Sequence, residues 1–324
     1  MARPQRAVAI LAATTGVVLF VVISKYVLDV DLGTSLAYLG ELPVVVVVLA
    51  LLARSASPAL HSTQLFLTLR SLGVKLGFRR VLLGTYSTLA LEYLVPIGGA
   101  TEVSRVAIFV SEGVPPTKAV ESVFLHRLLH STTATVELAI LFLVGKSGAV
   151  TWVLVTAVSA VNALNIAVLL SSRSRRVREV LSGALSRLGT LSDYLVHVEP
   201  PRPTYIAVAA IAVGLEKVVS VVSGYLILKY LEPSTGLADS MLLFDLLLVI
   251  FWLLPIVTPA GVGQVEAVQV ATSLVIGLER NAVFTAVVLY RIITIISVLP
   301  QLLAGFFMYG ASRLSEVVSK NRFK

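Results

Sequence analysis

Two glutamate–arginine sets, repeated in step along an otherwise apolar chain, are where chemistry would reside. Glu102 follows a break containing Pro96, Gly98 and Gly99, Glu266 follows one containing Pro259, Gly261 and Gly263, and 25 residues beyond each glutamate stands an arginine, Arg127 or Arg291. A carboxylate near the start of a helix interacts favourably with that helix's free N–H groups, and a guanidinium is a permanently charged planar fork of donors. The spacing predicts two pseudo-symmetric ion pairs or near-pairs, which would either face a polar cavity or brace each broken segment against the next helix. Arg105 lies three residues after Glu102 on the same helical face and could reach its carboxylate or an anionic headgroup. The matching place in the second set holds Gln269, which keeps a hydrogen-bonding group without the charge.

His126 and His130 stand four apart around Arg127. Two imidazoles on one helical face can chelate a metal, but no HExxH is present and no third ligand is indicated, so a hydrogen-bonded polar stripe or a proton-sensitive group is expected instead. Neither a metal nor any other cofactor is expected. Glu121, Glu137, Glu216 with Lys217, Glu92, Glu41 and Asp245 are further candidates for cavity lining or proton coupling. No GxGxxG after a strand, no P-loop and no nucleophile elbow occurs, so no catalytic residue is assigned.

The elements that must position these groups are transmembrane. Of 324 residues, 57% are hydrophobic and only 14% charged, well below the roughly 25% charge of soluble domains. Apolar runs long enough to cross a bilayer core of about 30 Å lie at about 7–30, 35–53, 118–144, 149–170, 203–230 and 279–310. Residues 81–112 and 239–277 are apolar too, but Pro and Gly interrupt each near its middle, leaving arms too short to span. They read as re-entrant hairpins, with broken backbone of the kind tolerated at membrane depth only inside protein or beside a wet cavity. The expected fold is therefore an all-α membrane protein of six transmembrane helices plus two re-entrant helical hairpins. The absence of cysteine excludes disulfides, thiolate metal sites and cysteine catalysis.

The net charge of +8 is gathered in short clusters between apolar runs, which reads as orientation signal and lipid contact, with no nucleic acid as partner. The basic opening before a long apolar run predicts a retained first span. Segments 54–80 and 171–202 look like interfacial helices on the cytoplasmic face, the second a basic linker, and both termini are placed inside. Counting crossings makes the hairpins enter from opposite sides. A shift of 164 residues superposes Gly99 on Gly263, Glu102 on Glu266, Gly113 on Gly277 and Arg127 on Arg291. The chain thus reads as one polytopic domain over 1–324, with a first repeat at 35–144 and an inverted second one at 203–310, a transporter signature.

The stretch from Tyr93 to Arg127, with LVPIGGATEVSRVAIF and EGVPPTKAVESVFLHR, and the stretch LLPIVTPAGVGQVEA through LYRIITIISVLP resemble the lysylphosphatidylglycerol synthase transmembrane-region family of flippase-like proteins. The resemblance covers nearly the whole chain. It implies two inverted hairpin repeats that move a lipid headgroup between leaflets. In bacterial multiple peptide resistance factors the domain is fused to a soluble aminoacyl-transferase, and related domains accompany some archaeal glycosyltransferases. Glu102, Arg105 and Arg127 match the first motif, and Gly261, Gly263, Glu266, Tyr290 and Arg291 the second. The chain departs from the pattern at His126 and His130, where many relatives are acidic, and at Val265, where many carry an arginine.

The sequence thus predicts a multi-pass plasma-membrane protein, not an enzyme, acting as a lipid flippase-like transporter of an anionic or phosphate-bearing lipid, polyprenyl-linked or aminoacylated lipids included. Membrane lipids are its expected partners, with a separately encoded glycosyl- or aminoacyl-transferase as a further candidate. The alternatives are a non-transporting scaffold for such a transferase and an intramembrane lipid-modifying enzyme using Glu102 or Glu266 as general acid or base.

Overall fold

A computed structural model describes residues 14–15, 17–18, 20–94, 100–146, 148–171, 201–252 and 261–320. Every regular element among them is helical: α1 (helix at 20–26), α2 (Leu32–Glu41), α3 (Val44–Ser55), α4 (Ser57–Ser71), α5 (Phe78–Leu94), α6 (Ala100–Ser111), α7 (Pro116–Leu143), α8 (Ala149–Ser171), α9 (Pro203–Leu231), α10 (Leu237–Phe244), a 3-10 helix (Leu246–Trp252), α11 (Gln264–Ile276) and α12 (Arg280–Lys320). Four helical stretches are long and apolar enough to cross a membrane: Val44–Ser71, Ala149–Ala167, Pro203–Leu231 and Arg280–Gln301. α7 is 28 residues long but carries Lys118, Glu121, Arg127, Glu137, His126 and His130, and is not among the four. The hairpin breaks at Pro96, Gly98, Gly99 and Pro259 and nearly all of the 171–202 linker lie outside the described residues.

Helix α2 starts at Asp31, whose carboxylate accepts hydrogen bonds from the Gly33 amide (2.9 Å) and the Thr34 hydroxyl (2.7 Å). Those donors hold the Asp31 carboxyl below the usual carboxylate range, so the cap stays charged at neutral pH and is lost only as pH falls through that lowered value. The apolar run 35–53 is interrupted, because Leu42 and Pro43 are extended and part α2 from α3. Ala56, by contrast, keeps helical dihedrals, and α3 and α4 join into one stretch of 28 residues. This corrects the interfacial reading of the 54–80 segment: Ser62, Gln64, Leu65 and Thr68 on α4 are fully buried. The cause is that α4 packs on α7 and α9, which supply partners for its polar groups.

The interior holds a large apolar core together with buried polar groups, and the outer surface is apolar as well. On α9 the exposed large residues Val208, Ile211, Leu215 and Val218 recur every three or four positions, while Lys217, Ser220, Ser223 and Gly224 point inward. Exposed Val44, Val45, Val48 and Leu52 on α3 and Ile292, Ile295, Ile296 and Leu299 on α12 repeat the pattern. Apolar surface on this scale faces hydrocarbon at no cost, and small residues inside let helices approach closely. Ser223 donates to the Ala50 carbonyl at 2.9 Å, joining α9 to α3. A Cβ on Gly224 would lie 2.2 Å from the buried Phe244 ring, so only glycine allows this α9–α10 contact.

Helices α5 and α6 pack on each other, as do α10 and α11, so the two arms of each Pro/Gly-interrupted segment are in contact. The second differs from a plain two-helix hairpin. Its first arm is an eight-residue α-helix followed, after Asp245, by a seven-residue 3-10 helix. Helix α12 packs against α5, α6 and α11, touching both segments.

Candidate functional site

Two glutamate–arginine pairs and two buried polar clusters make up the interior chemistry. Glu102 and Glu266 both sit in the first turn of the second arm of their segments, on α6 and α11. Gly263 precedes α11 at φ +85°, a conformation that favours glycine. Its amide donates to Glu266 Oε2 at 2.6 Å, so one carboxylate oxygen caps the helix. The other oxygen takes a hydrogen bond from Arg291 Nε on α12. In the first set, Arg127 Nη1 on α7 lies 3.7 Å from Glu102 Oε1. The surroundings differ: the Glu266 side chain is 5% exposed and that of Glu102 29%.

Arg105 and Gln269 turn out to do parallel work. Arg105 is buried and its Nε donates to Thr88 on α5 at 3.3 Å, while Gln269 donates to the Leu243 carbonyl on α10 at 2.7 Å. Each ties the second arm of its segment to the first. Tyr290 is buried with its ring 4.7 Å from that of Phe244, and the Arg54 guanidinium lies 5.6 Å from the Tyr290 ring centroid. Arg54 also donates to Ser220 on α9, so it belongs to the interior.

The first polar cluster centres on Lys217 of α9. Its ammonium contacts Glu137 of α7 at 3.0 Å and also Asp245 beyond α10. One ammonium and two carboxylates sum to a single negative charge, which one bound proton neutralises. The second cluster gathers three of the chain's four histidines. His61 on α4 packs edge-on to His126 with centroids 4.6 Å apart, and His126 and His130 are also 4.6 Å apart. Gln64 holds the set together: its Oε1 accepts from His126 Nε2 (2.9 Å) and His130 Nε2 (2.8 Å). Its amide nitrogen donates to the Ala212 carbonyl (3.1 Å) and Glu216 Oε2 (2.7 Å). Glu216 further accepts from Ser57 at 2.9 Å and faces His61 Nδ1 at 3.4 Å.

His61 and Gln64 escape a reading of the sequence because they lie in a stretch whose basic residues look superficial. The expectation that His126 and His130 have no third histidine beside them is therefore corrected by His61. The only sequence signal was the rarity of histidine itself.

Long apolar helices, an apolar outer surface and charged groups paired in the interior define a helical integral membrane protein. The profile of the lysylphosphatidylglycerol synthase transmembrane region matches residues 7–300, and the chain belongs to that family. Comparison with curated proteins found no match.

Proposed function

We propose that the protein carries an anionic or phosphate-bearing lipid headgroup between leaflets, as a flippase-like transporter built from six crossings and two oppositely inserted re-entrant hairpins. The observation that carries this reading is the pair of corresponding contacts, Glu102 with Arg127 and Glu266 with Arg291, each joining a hairpin's second arm to the long helix that follows it. Arg127 lies eleven residues after the start of α7 and Arg291 eleven after the start of α12, about 16 Å along each helix. With α7 and α12 entering from opposite faces, the two guanidiniums sit at mirrored depths. A headgroup would exchange between them while its tails stay in lipid, and rocking of one repeat against the other would alternate access.

Contacts between connections support the topology. Asp29 pairs with Arg280 at 2.8 Å, Lys146 with Asp239 at 2.7 Å, and Tyr230 donates to the Glu41 carbonyl at 3.2 Å, all among connections assigned to the outer face. The Arg202 amide donates to the Ser71 carbonyl at 2.9 Å and Lys118 to the Leu72 carbonyl at 2.8 Å, among those assigned to the inner face. On this assignment the plasma membrane is crossed with both termini in the cytoplasm. The Lys217 triad is the group best suited to take up a proton, should movement be proton-coupled.

The test is leaflet exchange of labelled lipids in proteoliposomes across anionic, aminoacylated and polyprenyl-phosphate classes, with the lipids analysed chemically afterwards. Exchange of one class with its structure unchanged supports transport. A chemically altered lipid supports the enzyme alternative, and intact protein with no exchange of any class supports the scaffold.

A further inference from the structure

We propose that His61, His126 and His130 form a binding site for a divalent transition metal of the zinc type, buried among α4, α7 and α9. One ring nitrogen from each lies within 4.8 Å of the other two. Proximity alone would be a polar cluster; the hydrogen-bond bookkeeping of His126 and His61 supplies two ligand nitrogens, and His130 joins them by its position. Gln64 donates its amide hydrogens to two pure acceptors, the Ala212 carbonyl and the Glu216 carboxylate, which fixes its oxygen as the atom facing the histidines. A carbonyl oxygen only accepts, so His126 Nε2 is the protonated nitrogen and Nδ1 carries the lone pair. Among the described residues that Nδ1 finds no hydrogen-bond partner, and it is buried on a residue only 3% exposed.

The same logic applies to His61. Its Nδ1 faces the Glu216 carboxylate, leaving Nε2 as the lone-pair nitrogen, and Nε2 is likewise buried without a partner. A buried acceptor left unmatched is destabilising, so two in contacting imidazoles call for a shared partner. An electron-pair acceptor between the rings satisfies both at once. The carboxylate–histidine and amide–histidine contacts are of the kind that orient metal-ligating imidazoles from outside the first shell. Zinc–nitrogen bonds of about 2.0–2.1 Å in a tetrahedron hold ligand nitrogens roughly 3.4 Å apart, a contraction within reach of side-chain rotation. Three imidazoles with a nearby carboxylate and no thiolate suit zinc, cobalt or nickel and disfavour magnesium and calcium. A bound ion would tie α4 to α7 at mid-depth and, through Glu216, to α9.

The full chain, without an affinity tag and stripped with chelator in detergent, is titrated with Co2+ and then Zn2+. The site predicts one ion per chain, the visible bands of four-coordinate cobalt, their displacement by zinc, and a melting temperature raised by metal. His126→Asn abolishes the bands. Gln64→Leu, which removes only the orienting amide, keeps one ion per chain with affinity about 10–100-fold weaker. A folded wild type that takes up neither metal, or takes them up no better than His61→Asn, overturns the proposal.

Discussion

Glu102 and Glu266 carry the same side chain, hold the same kind of partner and sit at corresponding places, yet one is partly exposed and the other buried. Glu266 is 5% exposed and gives both oxygens to defined donors, so Glu266→Gln removes the buried carboxylate charge that faces Arg291. Breaking such a pair costs about 3–5 kcal/mol. Glu102→Gln, at 29% exposure and 3.7 Å, should cost about 1 kcal/mol or less. Thermal unfolding in detergent would separate the two, and equal losses would mean that the pairs are energetically alike. The Lys217 triad gives a second contrast. Lys217→Met strands the buried Glu137 carboxylate beside the part-buried Asp245 and should prevent stable folding, whereas Glu137→Gln leaves Lys217 paired with Asp245 and should be tolerated, as size-exclusion profiles of the two variants would reveal. The glutamate–arginine recurrence was legible in the sequence because charges are rare there. The triad was legible only as single residues, since its contacts join positions 80 and 28 apart on three separate elements.

At the level of elements, close approach governs α9. Gly224→Ala would drive a methyl group into the Phe244 ring, whose position is fixed by full burial, and should destabilise the fold by about 1–3 kcal/mol, with partial rescue by Phe244→Leu. A melting temperature unchanged by Gly224→Ala would show that α9 and α10 separate freely. The extents of α8 and α9 follow from hydropathy, so they could be read in advance, whereas α12 runs on to Lys320, ten residues past the apolar run at 279–310. Helix α4 could not, because Arg54 and Arg70 flank it and surface helices carry such residues; its burial depends on partners from α7 and α9 that no local pattern announces. The division of the second hairpin's first arm at Asp245 is equally non-local. Its carboxylate is taken by Lys217 where the backbone leaves α geometry.

For the molecule as a whole, paired polar groups within an apolar core and apolar residues on the outside form a body whose solvent is the bilayer. The absence of native cysteine makes its orientation directly measurable. In intact cells Ser234→Cys should react with an impermeant maleimide, while Lys75→Cys should react only after the membrane is opened; reversed labelling would invert the topology. The recurrence of glutamate, arginine and glycine at one offset is legible in the sequence, whereas the unequal exposure of Glu102 and Glu266 depends on packing that the offset does not encode.

The central claim is that Arg127 and Arg291 serve one lipid path from its two sides. The most direct measurement is the rate of leaflet exchange of a phosphate-headgroup lipid in proteoliposomes containing wild type, Arg127→Gln or Arg291→Gln, each inserted and folded to the same extent. Either substitution should slow exchange at least about tenfold, the equivalent of 1.4 kcal/mol in the barrier. Exchange at the wild-type rate in both variants would contradict the account and leave the two pairs as braces between helices.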